Sequence, residues 1–138
     1  MLDVFPDHLT ARLVDLHAEA FSALRAAGDA LYDLAVRAEG DAAVDVDALF
    51  AGVDVAMSAA LDDPSLVPEL QSLGLAAAAV QARETWYSHD ESACSPVETL
   101  TPLGEAASRA RSALAAAVLA VHRAEDFVRA LGHVRSMT

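Results

Sequence analysis

The chain has 138 residues, 54% of them hydrophobic, and a formal net charge of −12 at pH 7, so it can bury a core as a single domain over residues 1–138. Such an acidic balance argues against binding to nucleic acid or to an anionic membrane surface. The only cysteine, Cys94, excludes an internal disulfide, and nothing like a signal peptide opens the chain, so we expect a soluble cytoplasmic protein.

The first predicted element is a long amphipathic helix over residues 7–38, with Asp7 as its N-cap. Its apolar residues recur at spacings of three and four, while Arg12, Asp15 and Glu19 begin a polar stripe on the opposite face. The apolar face comprises Leu9, Leu13, Leu16, Ala20, Ala23, Ala27, Leu31 and Leu34, and is widened by Val14, Phe21, Leu24 and Ala35.

Two shorter helices are predicted next. Asp45 or Asp47 can cap the first of them, which we expect to end at the Asp-Asp-Pro sequence that starts at Asp62. The second is expected to begin around Pro68, because proline suits the first turn of a helix. It should continue through Trp86, where an aromatic pair would close the core.

A polar segment over residues 88–101 is predicted to be a loop. Within it Ser95, Pro96 and Glu98 spell a capping box, which predicts a short helical turn. Thr101 is followed by a proline and is therefore predicted to cap one more helix. No segment of the chain shows the sustained alternation of apolar and polar residues that is typical of a strand.

The last predicted helix, residues 102–138, carries the most regular apolar seam. Its members alternate spacings of four and three almost without a break, which is typical of a helix that packs along its whole length. They are Leu103, Ala107, Ala110, Leu114, Ala117, Val121, Ala124, Val128 and Leu131.

These elements predict an all-α fold, an antiparallel four-helix bundle with long first and last helices and two shorter middle helices. Because alanine dominates the seams, each layer of the core has little bulk, and association with a second copy would bury more surface. We therefore favour a homodimer. The nine basic residues are all Arg, and Lys, Ile and Asn do not occur, which indicates a bacterial source with a GC-rich genome.

The histidines suggest one candidate site. If the first and last helices are antiparallel neighbours, residues whose numbers add up to about 142 face each other at one level. This places His17 near His122 and Glu125, and His8 near His133. Two imidazoles and a carboxylate can hold zinc or another divalent metal, although a histidine at the edge of a bundle can equally be a packing residue.

The predicted loop contains His89, Asp90, Glu91 and Cys94, which are ligand or nucleophile types but also occur in any solvated loop.

His17 has the acidic neighbours that suit a phosphoacceptor on a helix. Phosphotransfer helices, however, place a Lys three residues after the histidine and then a Gly, where this chain has Ala20 and Phe21. The departure from that pattern weakens the hypothesis.

The sequence therefore favours a non-enzymatic, cytoplasmic helical-bundle protein that self-associates and acts through contacts with a protein partner. The alternative is a bundle that binds a divalent metal such as zinc, or a metal-dependent enzyme, using His17, His122 and Glu125.

Overall fold

A computed structural model describes residues 7–88 and 97–136 of the chain. These residues form four α-helices and one two-stranded antiparallel sheet. In chain order the elements are α1 (Asp7–Arg37), α2 (Val46–Met57), α3 (Leu66–Arg83), β1 (Thr85–Ser88), β2 (Val97–Leu100) and α4 (Pro102–Ser136). The prediction of long first and last helices with two shorter helices between them is confirmed.

Helix α4 is the central packing partner, because it contacts both α1 and α3, while α2 packs mainly on α1. A hydrogen bond fixes the register between the two long helices: Arg109 Nη2 donates to Asp33 Oδ2 at 3.2 Å. This bond joins the end of α1 to the beginning of α4, so the two helices run in opposite directions. It also agrees with the register that the sequence predicted.

The core follows the predicted seams over most of their length. Its largest fully buried side chains are Leu24, Leu31, Leu34, Leu70, Leu114 and Val121. On α4 the seam is buried without interruption from Ala107 to Ala124, but Val128 is 47% exposed. Since α2 and α3 are much shorter than α1 and α4, the two long helices continue past the end of the four-helix core.

The buried face of α1 is narrower than predicted, because the shorter helices do not cover its first half. Leu24 and Ala35 are buried as expected, whereas Val14 is 62% exposed and Phe21 is 50% exposed. The side of α1 that carries Phe21 is covered by α2 only from about Gly28 onward, where the side chain of Met57 lies close to Gly28. Because α2 ends at Met57, it does not cover the turns of α1 that precede Gly28.

Local hydrogen bonds explain where the middle helices begin and end. The side chain of Asp45 accepts from Ala48 N at 3.1 Å, which confirms one of the two predicted caps. Helix α2 ends at Met57 and not near Asp62; the backbone N–H of Ser58 makes the last helical hydrogen bond, to Asp54 O, and the hydroxyl of Ser58 donates to the same oxygen. Helix α3 begins at Leu66, so Pro68 lies in its first turn.

The hairpin formed by β1 and β2 corrects several predictions, the first of which is that the fold is all-α with no strand. Helix α3 ends at Arg83, and Trp86 lies in β1 with 51% of its surface exposed, so it does not close the core. Glu98 pairs with Tyr87 across the two strands, so the predicted helical turn is wrong at that residue. Ser95 and Pro96 lie outside the described residues. Three of the four residues of β1 and two of the four residues of β2 are aromatic or β-branched, which favours the extended backbone over helix.

The hairpin is joined to α4 through a close contact at its base. Thr101 caps α4 as predicted, since its hydroxyl oxygen accepts from Gly104 N at 3.1 Å, and the same hydroxyl donates to Glu84 Oε2 at 3.0 Å. A Cβ at Gly104 would lie only 2.9 Å from Glu84 Cβ and 3.2 Å from Glu84 O. The absence of a side chain at Gly104 therefore allows α4 to start against the end of α3.

Candidate histidine cleft and α3–α4 face

The three predicted metal ligands, His17, His122 and Glu125, line a single cleft. It has a volume of about 730 Å³ and lies between α1, the second half of α4 and the loop over residues 58–65. Packing of α1 against α4 in the predicted register brings these side chains to one level. We call this space the histidine cleft.

Within the histidine cleft the three residues are neighbours without forming a compact ligand set. His122 Nδ1 lies 3.7 Å from Glu125 Oε2, and the two side chains are 49% and 32% exposed. Over residues 7–88 and 97–136, no three His, Cys, Asp or Glu side chains are close enough to share a metal ion. A metal bound here would require His17 to move toward the other two.

The walls of the histidine cleft combine apolar and charged groups. Leu61, Val67 and Val128 supply apolar surface, and Asp63 contributes a carboxylate. Hydrogen bonds from the backbone N–H and the hydroxyl of Ser65 lower the pKa of Asp63, so this carboxylate is ionised at neutral pH and already has hydrogen-bond partners. The cleft therefore combines apolar surface with carboxylates and one guanidinium, that of Arg129.

The structure places the second predicted histidine pair on the two long helices. His8 and His133 are both exposed, on α1 and α4 respectively. His89, Asp90, Glu91 and Cys94 lie outside the described residues, so the hypothesis that they bind a ligand or act chemically is unaffected by the structure.

A second surface was not predicted as a site. The two longest stretches without an ionisable residue are Leu70–Ala82 and Ser112–Val121. They lie on α3 and α4, which pack against each other, so their outer sides form one continuous uncharged surface. We call the exposed part of these two stretches the α3–α4 face. In the sequence this face is marked only by the absence of charged residues, and not by any catalytic or ligand-binding motif.

The α3–α4 face is apolar and uneven in shape. A groove of about 570 Å³ runs between the two helices, and the small residues Gly74, Ala78 and Ala115 line it. Beside these residues, Leu75 is 74% exposed and Leu119 is 52% exposed. Leu119 follows Ala115 by one helical turn and lies on the same side of α4.

One charged side chain lines the groove, and it is already held by hydrogen bonding. Arg111 Nη1 donates to Gln81 Oε1 at 3.1 Å, which ties the guanidinium to α3 at one end of the groove. The rest of the face presents mainly alanine, glycine and leucine to solvent, with Gln71, Ser72 and Ser112 as its exposed polar but uncharged residues. Depletion of charge combined with large exposed apolar side chains is characteristic of protein contact surfaces.

Comparisons with protein-family models, with curated proteins and with solved structures found no match. Among the described residues, no helix has an apolar stretch that is long enough to cross a bilayer. Function is therefore inferred from the two surfaces of the chain itself.

Proposed function

We propose that this protein is a non-enzymatic, cytoplasmic, antiparallel four-helix-bundle protein that acts through contacts with other protein chains, self-association among them. The observation that carries the proposal is the α3–α4 face. Leu75 and Leu119 remain exposed there on a surface whose groove is lined by a single charged side chain, Arg111, in a chain whose overall net charge is −12. Burying such a surface against another protein removes apolar area from water and desolvates few charged groups, and the guanidinium of Arg111 already has Gln81 as a hydrogen-bond partner.

The small volume of the core supports the same proposal. Alanine occupies Ala107, Ala110, Ala117 and Ala124 on the buried seam of α4, so each layer contributes little apolar area. An interface with a second copy would add buried area to a chain that has few large core side chains. Homo-oligomers commonly gain stability in this way, because folding and association are then coupled.

Sedimentation velocity over a range of protein concentrations tests the proposal. Self-association predicts that the average mass rises from that of one 14.4 kDa chain to that of two as concentration increases. A mass that stays at one chain up to millimolar concentration would contradict self-association.

A second candidate function is binding of a divalent metal in the histidine cleft. It is supported by the position of His17, His122 and Glu125 on one cleft, although these groups must approach one another before they can share an ion. Imidazole and carboxylate are ligands that zinc accepts, so zinc is the metal to test.

Native mass spectrometry after equilibration with zinc separates the two candidates, since it gives subunit number and bound metal together. The metal hypothesis predicts one zinc per chain, lost in His17→Ala and retained in His8→Ala, whose histidine lies outside the cleft. If the unsubstituted protein binds no zinc, or if both variants bind it equally, the metal hypothesis is wrong. Neither result bears on self-association.

A further inference from the structure

The α3–α4 face has the features of a surface that is complementary to itself. It presents protruding side chains, Leu75 and Leu119, and beside them a groove lined by small residues. Under a two-fold axis each copy offers both parts to the other, so every contact is made twice. A surface of one kind only, either convex or concave, would need a different partner.

The distribution of charge also favours a second copy of the chain, rather than a basic protein, as the partner that binds the α3–α4 face. Two copies with a net charge of −12 repel each other at most orientations, and the α3–α4 face is a surface where they can meet with no carboxylates in contact. A basic partner would be drawn to the acidic residues that crowd residues 1–63, which contain thirteen Asp or Glu and three Arg. The uncharged face gives such a partner no electrostatic advantage.

The size of the face suits a reversible dimer. Two neighbouring helical stretches of this length span roughly 20 Å by 20 Å, which corresponds to roughly 800 Å² of buried surface over both copies. This value lies at the lower end of specific interfaces. We therefore expect the copies to exchange on dilution rather than form a permanent dimer.

We propose that two copies of this chain dock through the α3–α4 face about a two-fold axis, with Leu75 of each copy seated in the groove of the other. This inference rests on the proposed self-association and adds its location. Leu75 is the central contact, because it is the most exposed large apolar side chain among the described residues and borders the groove. Leu119 flanks it from α4.

Substitutions on the full chain test the docking face by sedimentation velocity. Leu75→Glu and Leu119→Glu place a carboxylate in the interface and should each weaken dimerisation roughly 30-fold or more, as expected for a central interface residue. Val36→Glu is the matched control, since Val36 is also large, apolar and 43% exposed but lies on α1. It should leave the dimer unchanged.

A second variant separates loss of docking from loss of folding. A Cβ at Gly74 would meet nothing within 4 Å, and Gly74→Leu improves the helix propensity of α3. Its side chain would fill the groove that receives Leu75 from the other copy. We expect a melting temperature no lower than that of the unsubstituted protein at concentrations where both are monomeric, together with loss of the dimer.

The outcomes distinguish this inference from the proposed function. If the unsubstituted protein dimerises but Leu75→Glu and Gly74→Leu dimerise equally well, self-association stands and the docking face is wrong. If Val36→Glu abolishes the dimer while Leu75→Glu does not, the interface lies on α1 and the inference is again wrong. A chain that is monomeric at every concentration contradicts both.

Discussion

Neighbouring alanines on α4 have opposite environments. Ala117 is fully buried in the seam, whereas Ala116 is exposed. Ala117→Glu would place an unpaired carboxylate in an apolar core, and we expect it to lower the free energy of unfolding by at least about 3 kcal/mol. Denaturant unfolding measures this difference.

Ala116→Glu is the control for that experiment, because it adds the same side chain one residue away on the same helix. Since Ala116 belongs to the α3–α4 face, the comparison is made at protein concentrations where the chains are monomeric. We expect a change of about 0.5 kcal/mol or less from a substitution at an exposed helical position. Equal effects at the two positions would show that the seam of α4 is not buried.

Two carboxylates link the ends of the helices and give the protein an acid-sensitive stability. Hydrogen bonds from the backbone N–H of Ala43 and from Arg83 lower the pKa of Asp41. Burial alone would raise the pKa of Asp33, but hydrogen bonds from Arg37 and Arg109 outweigh it, and the pKa is lowered.

A lowered pKa in the folded state fixes the sign of the pH dependence. Both carboxylates stabilise the fold above the ordinary value of 3.8, and their contribution is lost as the pH falls through their lower folded-state values. We expect the melting temperature to decline below pH 4 or so, and to decline less steeply in Asp41→Asn. Equal slopes for both proteins between pH 5 and pH 2 would refute a stabilising role for Asp41.

At the scale of the elements, the junction between α3 and α4 depends on a glycine. Gly104→Ala forces a methyl group against Glu84 Cβ and Glu84 O, which belong to the end of another element. We expect the free energy of unfolding to fall by about 1 to 3 kcal/mol, as in other overpacked sites.

Gly132→Ala on the same helix provides the comparison, because a Cβ there meets nothing within 4 Å. Removing a glycine from an open helical position should raise stability by up to about 1 kcal/mol. If thermal denaturation finds both variants stabilised, α4 does not approach Glu84 closely.

Element boundaries were predictable where periodicity or a cap marked them. The seams identified α1 and α4, and the side chains of Asp45 and Thr101 cap the helices that follow them, as expected. The hairpin was not predictable from alternation, because each strand has only four residues. Its remaining signal, aromatic and β-branched residues in Thr85–Ser88 and Val97–Leu100, is also compatible with the end of a helix.

The candidate surfaces differ in how far the sequence anticipates them. When two long antiparallel helices pack along their length, contact at one level fixes which residues face each other at every other level. His17 therefore lies at the level of His122, as predicted. The position of the α3–α4 face depends on which side of α3 is buried. The sequence does not predict this side, because alanine occurs on all sides of the helix. The exposure of Leu75 could be seen only once α3 was packed on α4.

At the scale of the whole molecule, net charge sets how association responds to salt. Copies with a net charge of −12 repel each other at long range, and the α3–α4 face contains no ion pairs that salt could weaken. Since the Debye length is about 10 Å at 0.1 M salt, adding salt screens the repulsion. We expect the dissociation constant of the dimer to fall roughly threefold or more between 20 mM and 300 mM NaCl.

Sedimentation equilibrium in the two salt concentrations measures that change, with a neutral osmolyte as the control for general solvent effects. A dissociation constant that rises with salt would indicate an interface held by ion pairs. The uncharged face would then be excluded as the place of contact.

Association through the α3–α4 face is tested most directly by methyl NMR with a soluble paramagnetic agent, which relaxes the methyl groups that solvent can reach. The account predicts that the methyl groups of Leu75 and Leu119 become protected as protein concentration increases, while those of Val14 and Val36 stay accessible. Accessibility of Leu75 that does not change from dilute monomer to fully associated protein would contradict it.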